Sequence, residues 1–186
     1  MRHLVGLILA AGIFVAIGDR AIAAPAFPAP GPNMALGRPY TLKPEPDYSH
    51  CSRDPDRKLL TDGRTTRGFF WTQPTTVGWA EKSLVEIVVD LGRIEPIAGA
   101  SFSTAAGGGG VEWPWLILVL TSDDGRTYRM AGDLVADSSR RGQPTTGYAT
   151  HRFQSDRIRA HGRYVKLVVS PRPAYLFCDE IEVYRG

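Results

Sequence analysis

Two short acidic segments carry most of the chemistry this chain offers. Leu59-Leu60-Thr61-Asp62-Gly63 lies early in its main body, and Asp179-Glu180-Ile181-Glu182-Val183-Tyr184 closes it. Each brings an acidic side chain to a place where a sandwich fold would join the two ends. Cys51 and Cys178, the only two cysteines, sit beside the same segments. A closed domain with tied ends and oxygen ligands at the tie points to a binding module. Catalytic constellations are missing. There is no Gly-x-Ser-x-Gly elbow and no His-Glu-x-x-His pair. Gly107–Gly110 lacks the lysine and following helix of a phosphate-cradling loop, and reads as a flexible loop. No acid pair is singled out for glycoside hydrolysis, and Asp123 and Asp124, being adjacent, would point apart on a strand end. The chain by itself is not expected to be an enzyme.

Residues 1–23 read as a signal peptide. Arg2 and His3 precede an apolar run from Leu4 to Ile17, and Ala21-Ile22-Ala23 supplies a small-x-small cleavage pattern. Gly18-Asp19-Arg20 interrupts the run before it reaches the roughly 20 apolar residues of a spanning helix. The expected location is therefore secreted, periplasmic or extracellular, with no membrane span after cleavage. Residues 24–32 form a proline-rich linker with few backbone donors. Residues 33–186 suffice for one domain with a full core. The formal charge of +3 falls to +2 once Arg2, Asp19 and Arg20 leave with the signal. The basic residues are scattered, which argues against a nucleic-acid partner.

Export sets how the cysteines read. Two cysteines in an oxidising compartment are expected to form a Cys51–Cys178 disulfide, with two buried thiols as the alternative.

The elements that would position these groups are short strands. Val85, Ile87, Val89 and Leu91 recur with period two, and Ala100–Thr104 is a second short candidate. Trp115–Leu120, apolar on both faces, reads as a central strand. Asp123-Asp124-Gly125 is a turn leading to a return strand at Thr127–Met130. Tyr164–Val169 and Glu180–Tyr184 alternate again. Gly- and Pro-rich loops between strands, with no helical period, indicate an all-β antiparallel sandwich or barrel.

Six segments taken together resemble the discoidin-like, galactose-binding-like family. They are Asn33-Met34-Ala35-Leu36-Gly37, Leu60-Thr61-Asp62-Gly63 followed by Trp71, Ile87-Val88-Val89-Asp90-Leu91-Gly92, Thr121-Ser122-Asp123-Asp124-Gly125, Gly162-Arg163-Tyr164-Val165 and Glu180-Ile181-Glu182-Val183-Tyr184. The resemblance implies a jelly-roll β-sandwich and a non-catalytic carbohydrate-binding module, normally appended to a glycan-active catalytic domain. The same fold also serves as a protein–protein or cell-surface attachment domain, so the ligand is not fixed by it.

The resemblance further implies a structural calcium ion, Ca2+, where the chain ends meet. Its side-chain ligands would be Asp62, a hydroxyl from Thr65 or Thr66, and Glu180, with carbonyls from Leu59, Arg64 and Asp179. Alternatively, Asp62-Gly63 is only a turn and Glu180 only faces solvent. Sugar-binding relatives stack a ring on an aromatic platform beside polar donors on loops at one end of the sandwich. The loop aromatics here are Trp79, Trp113, Tyr148 and Tyr175. Trp79, Trp113 and Tyr175 are the expected platform, with His151 and Arg152 as donors. Trp71 and Trp115 are assigned to the core. The Arg and Asn of galactose-binding relatives are absent from Phe102–Ala106 and the glycines after it, which leaves galactose unsupported.

Overall fold

Alternating burial runs along β1 (Tyr40–Lys43) and into β3 (Val85–Ala106), where Val85, Ile87, Val89 and Leu91 are all buried. The computed structural model describes residues 31–138, 146–172 and 174–186; the signal reading and most of the linker reading fall outside them. Further along are β2 (Val77–Ala80), β4 (Leu116–Ser122), β5 (Arg129–Asp133), β6 (Ala149–Ser155), β7 (Ala160–Ser170), β8 (Tyr175–Cys178) and β9 (Glu180–Arg185). One short helix, α1 (Leu134–Asp137), follows β5, its first turn capped by Asp133. Every pairing between named strands is antiparallel. Among the described residues, no helix is long and apolar enough to cross a membrane.

β3 is one strand of 22 residues, where the sequence pattern suggested two pieces. Gly92 takes a φ of +86°, and the register against β7 shifts between Asp90 and Glu95. Before that bend β3 lies between β1 and β7; past it β7 still pairs as far as Ile97, and from Ala100 on β3 lies between β6 and β9. A strand that changes layers at a bulge is how a sandwich turns a corner. One layer carries the aligned row Leu42, Ile87, Leu167 and Val119; the other carries Phe153, Phe102 and Ile181. All seven are buried, each contributing roughly 1.5–3 kcal/mol.

The chain ends meet as expected. The Met34 N–H donates to the Val183 carbonyl over 2.7 Å, and Gly37 donates to Thr61 over 2.7 Å. The Pro32 carbonyl accepts from Arg185 at 3.1 Å, so the chain joins the fold one residue ahead of Asn33. The Ser122–Gly125 turn also forms, with Asp124 Oδ1 accepting from the N–H groups of Arg126 and Thr127.

The disulfide expectation is corrected: Cys51 and Cys178 are both free thiols. In the β2–β8 ribbon Cys178 lies opposite Val77, and Phe177 lies opposite Gly78. Successive strand side chains point to opposite faces, so Cys178 and Phe177 look opposite ways. Cys51 Sγ sits 2.7 Å from where a Gly78 side chain would begin, on the Phe177 face. The two thiols are therefore separated by the ribbon itself.

Candidate functional site

The acidic tie forms where β9 begins. The Gly63 N–H donates to Glu180 Oε2 over 3.1 Å, and the Thr66 N–H donates to Asp179 Oδ2 over 2.6 Å. Asp62 Oδ1 accepts from the Arg64 N–H, which folds the loop back over the strand end. Glu180 and Asp179 are fully buried, and among the described residues Glu180 Oε1 has no hydrogen-bond partner. Burial pushes the Glu180 carboxyl up to about 8, with the charge of Asp62 adding to it. Burial raises Asp179 as well. Next along the same face, Glu182 accepts from the Arg152 guanidinium and the Tyr184 hydroxyl. An orphaned buried carboxylate oxygen is costly, and a cation supplied to it removes that cost. Among the described residues no group of three or more His, Cys, Asp or Glu is placed to hold a metal, so an ion here would depend on carbonyls and hydroxyls. The Thr66 hydroxyl is already paired with that of Thr75 at 2.8 Å.

An aromatic cluster forms at the end of the sandwich where β3 stops and β6 starts. Phe69 precedes a 3-10 turn over Phe70–Thr72 that buries Phe70 and leaves its neighbours outside. Phe69 is 52% exposed. Its ring stands edge-on to Tyr148 at 4.6 Å, and Trp71 lies 5.5 Å from Phe69 and 5.2 Å from Tyr148. The Tyr148 hydroxyl donates to the Gly68 carbonyl over 2.5 Å, tying the two loops together. Gly107 has a φ of +91°, and a Cβ there would fall 1.6 Å from the Gly147 carbonyl oxygen. Only glycine allows that approach. Gly108 in turn presents open backbone to Trp71. Through Phe177 the cluster continues to Tyr175 and Tyr48, and from Tyr48 to His50.

The expected platform is corrected in its tryptophans. Trp79 is 1% exposed: it lies within β2 and donates its indole N–H to the Pro44 carbonyl over 2.9 Å. The glycine beside it marks close packing, since a Cβ at Gly78 would meet Cys51 and Phe177 below 3.0 Å. Trp113 is 2% exposed, its ring edge-on to His151 and Phe153. His151 does lie beside Trp113, but it stands edge-on to Phe153 and its Nε2 pairs with Ser138 Oγ at 2.9 Å. Arg152 is committed to Glu182 and Ser101 rather than to a ligand. Burial opposes its charge, and the hydrogen bond and charge of Glu182 together with Tyr184 outweigh that, raising it. Tyr175 joins the aromatic edge, half-buried against Tyr48. Of the two tryptophans assigned to the core, Trp71 packs half-buried against it, and Trp115 is displaced outward, 59% exposed. Phe69 was missed. Its only sequence signal was the Phe-Phe-Trp run after Gly68, which a single 3-10 turn splits between inside and outside.

No family model matches the chain, and no curated protein matches it. Solved structures do. A Streptococcus pneumoniae fucose binding module is similar at 17% identity and a TM-score of 0.55, covering 84% of this chain and 96% of its own. CpGH89CBM32-6, produced by Clostridium perfringens, is similar at 15% identity and a TM-score of 0.53, covering 83% and 100%. Chitosan-binding module 2 in complex with chitotriose, from a chitosanase/glucanase of Paenibacillus sp. IK-5, is similar at 14% identity and a TM-score of 0.53, covering 82% and 99%. At these identities the likeness bears on architecture. The fold of this chain is the galactose-binding-like, discoidin-type jelly-roll β-sandwich.

Proposed function

We propose that this chain is an exported, non-catalytic carbohydrate-binding module, of the kind appended to glycan-active enzymes. The observation that carries the reading is the Phe69–Trp71–Tyr148 cluster, an aromatic surface left open at the loop end of the sandwich. Apolar sugar faces stack on such rings, while hydroxyls take directional bonds from nearby polar groups. Two of the structural neighbours, a fucose binding module and a chitosan-binding module in complex with chitotriose, support the same reading.

A structural calcium completes the proposal. Glu180 and Asp62 would supply carboxylate ligands. Leu59, Arg64 and Asp179 would supply carbonyls, and Thr65 or Thr66 a hydroxyl. The unpartnered Glu180 Oε1, fully enclosed, fits a hard cation held largely by oxygen. When bound, the ion would neutralise the acidic tie and lock the loop after Asp62 to the start of β9.

A glycan array on the purified domain tests the reading. It predicts binding to at least one sugar, with a Kd between about 1 mM and 1 μM. Binding to no sugar at all would leave an attachment domain of the same fold.

A further inference from the structure

Trp115 belongs by parity with the buried pair Ile117 and Val119, yet it is 59% exposed. Its backbone N–H donates to the Ser170 carbonyl over 2.8 Å, which pins it where β4 begins beside the end of β7. Two residues past Ser170, Arg172 lays its guanidinium over the indole, 3.8 Å from the ring centre. Arg57, Arg152, Arg163 and Arg185 each pair with a carboxylate, whereas Arg172 has no carboxylate partner among the described residues. Among the described residues its Nε is buried without an acceptor. The short connection from β3 to β4 brings this pair to the end of the sandwich that holds Phe69, Trp71 and Tyr148. β4 starts there, β7 finishes there, and the loop from Ala106 to Trp115 carries the Gly108 that Trp71 packs against.

We propose that Trp115 and Arg172 form a second, acid-selective subsite that takes the carboxylate of a uronic acid unit in a glycan. A guanidinium held flat on an indole is pre-oriented, and its free edge is a planar fork matching a carboxylate in two parallel hydrogen bonds. The exposed part of the ring offers a face for the sugar that carries the carboxylate. A chain spanning both aromatic surfaces would place one unit on the Phe69 cluster and an acidic unit on Arg172. The proposal rests on the carbohydrate reading above and adds a ligand charge to it.

Calorimetry with galacturonic acid oligomers and with their methyl esters isolates the charge on an otherwise shared sugar. The wild-type chain is expected to bind the acid at least about tenfold more tightly than the ester, a difference of about 1.4 kcal/mol. Arg172→Gln should remove that preference with little change in melting temperature. Arg126→Gln, which deletes an equal charge at the opposite end beside the Ser122–Gly125 turn, should keep it. Equal affinity for acid and ester, or a preference that survives Arg172→Gln, overturns the subsite. Tighter binding to dextran sulfate than to galacturonate overturns the carboxylate assignment. If neutral sugars bind through Phe69 while acid gains nothing, the subsite alone fails. If neither neutral nor acidic sugar binds, the carbohydrate reading fails with it.

Discussion

The N–H of Gly63 donates to Glu180 Oε2 over 3.1 Å, joining positions 117 residues apart at the two ends of the domain. Among the described residues only one oxygen of that carboxylate is used, and the other is enclosed without a partner. The site should therefore gain from a bound cation. Chelator is expected to lower the melting temperature, and added calcium to restore it. At free calcium one hundred times Kd the gain is about 2.7 kcal/mol, or roughly 5–10 °C for a domain of this size. Glu180→Gln should abolish the calcium-dependent part. Superimposable melting curves with chelator and with millimolar calcium would reject the ion.

The two thiols should remain unlinked. A non-reduced digest of folded protein is expected to yield Cys51 and Cys178 in separate peptides. Burial pushes the Cys51 thiol up to about 11, so its alkylation should be slow at pH 8 and quicken towards pH 11. Cys178, fully enclosed, should react only after unfolding. A Cys51–Cys178 linked peptide would overturn the separation of the thiols by the β2–β8 ribbon.

The aromatic assignments separate in stability. Trp79→Ala should cost about 3–5 kcal/mol in urea unfolding, because it empties a core position and strands the Pro44 carbonyl. Phe69→Ala should stay within about 1 kcal/mol of wild type, since half of that ring already meets water. The reverse order would contradict the inward placement of Trp79.

How far these positions were legible in the sequence follows from their local physics. Period-two runs gave β7, β9 and the first half of β3, and Asp and Gly gave the turn after β4. The four-residue strands β1, β2 and β8 are too short to show a period. β6 was hidden because Thr150, His151 and Arg152 read as loop residues. That the Asp62-Gly63 turn meets Glu180 was legible because acids near both ends were matched to a fold that joins its ends. The tryptophans were not. Gly78 reads as loop chemistry but serves close packing, and Trp115 follows an apolar parity although the ladder begins only at Leu116. Phe69 depends on one turn that no periodicity announces.

Asp90 and Arg163 give a pH test. Arg163 donates Nε and Nη2 to the two Asp90 oxygens, each at 2.8 Å, and holds that carboxyl below its usual range. A depressed folded pKa contributes stability above the ordinary carboxylate pKa, and that contribution is lost as pH falls through the folded value. The pair is partly exposed, so solvent screens it and its contribution is small. Arg163→Gln should lose that contribution at pH 7 and show a shallower decline on the acid side. An unchanged acid limb would mean the pair contributes nothing.

Calorimetric titration of wild type and Phe69→Ala with one array-selected neutral sugar tests the central claim most directly. The account predicts a saturable wild-type isotherm and at least about tenfold weaker binding by Phe69→Ala, about 1.4 kcal/mol, with both proteins equally folded. Undiminished binding by a folded Phe69→Ala would show that the Phe69–Trp71–Tyr148 surface is not where sugar binds.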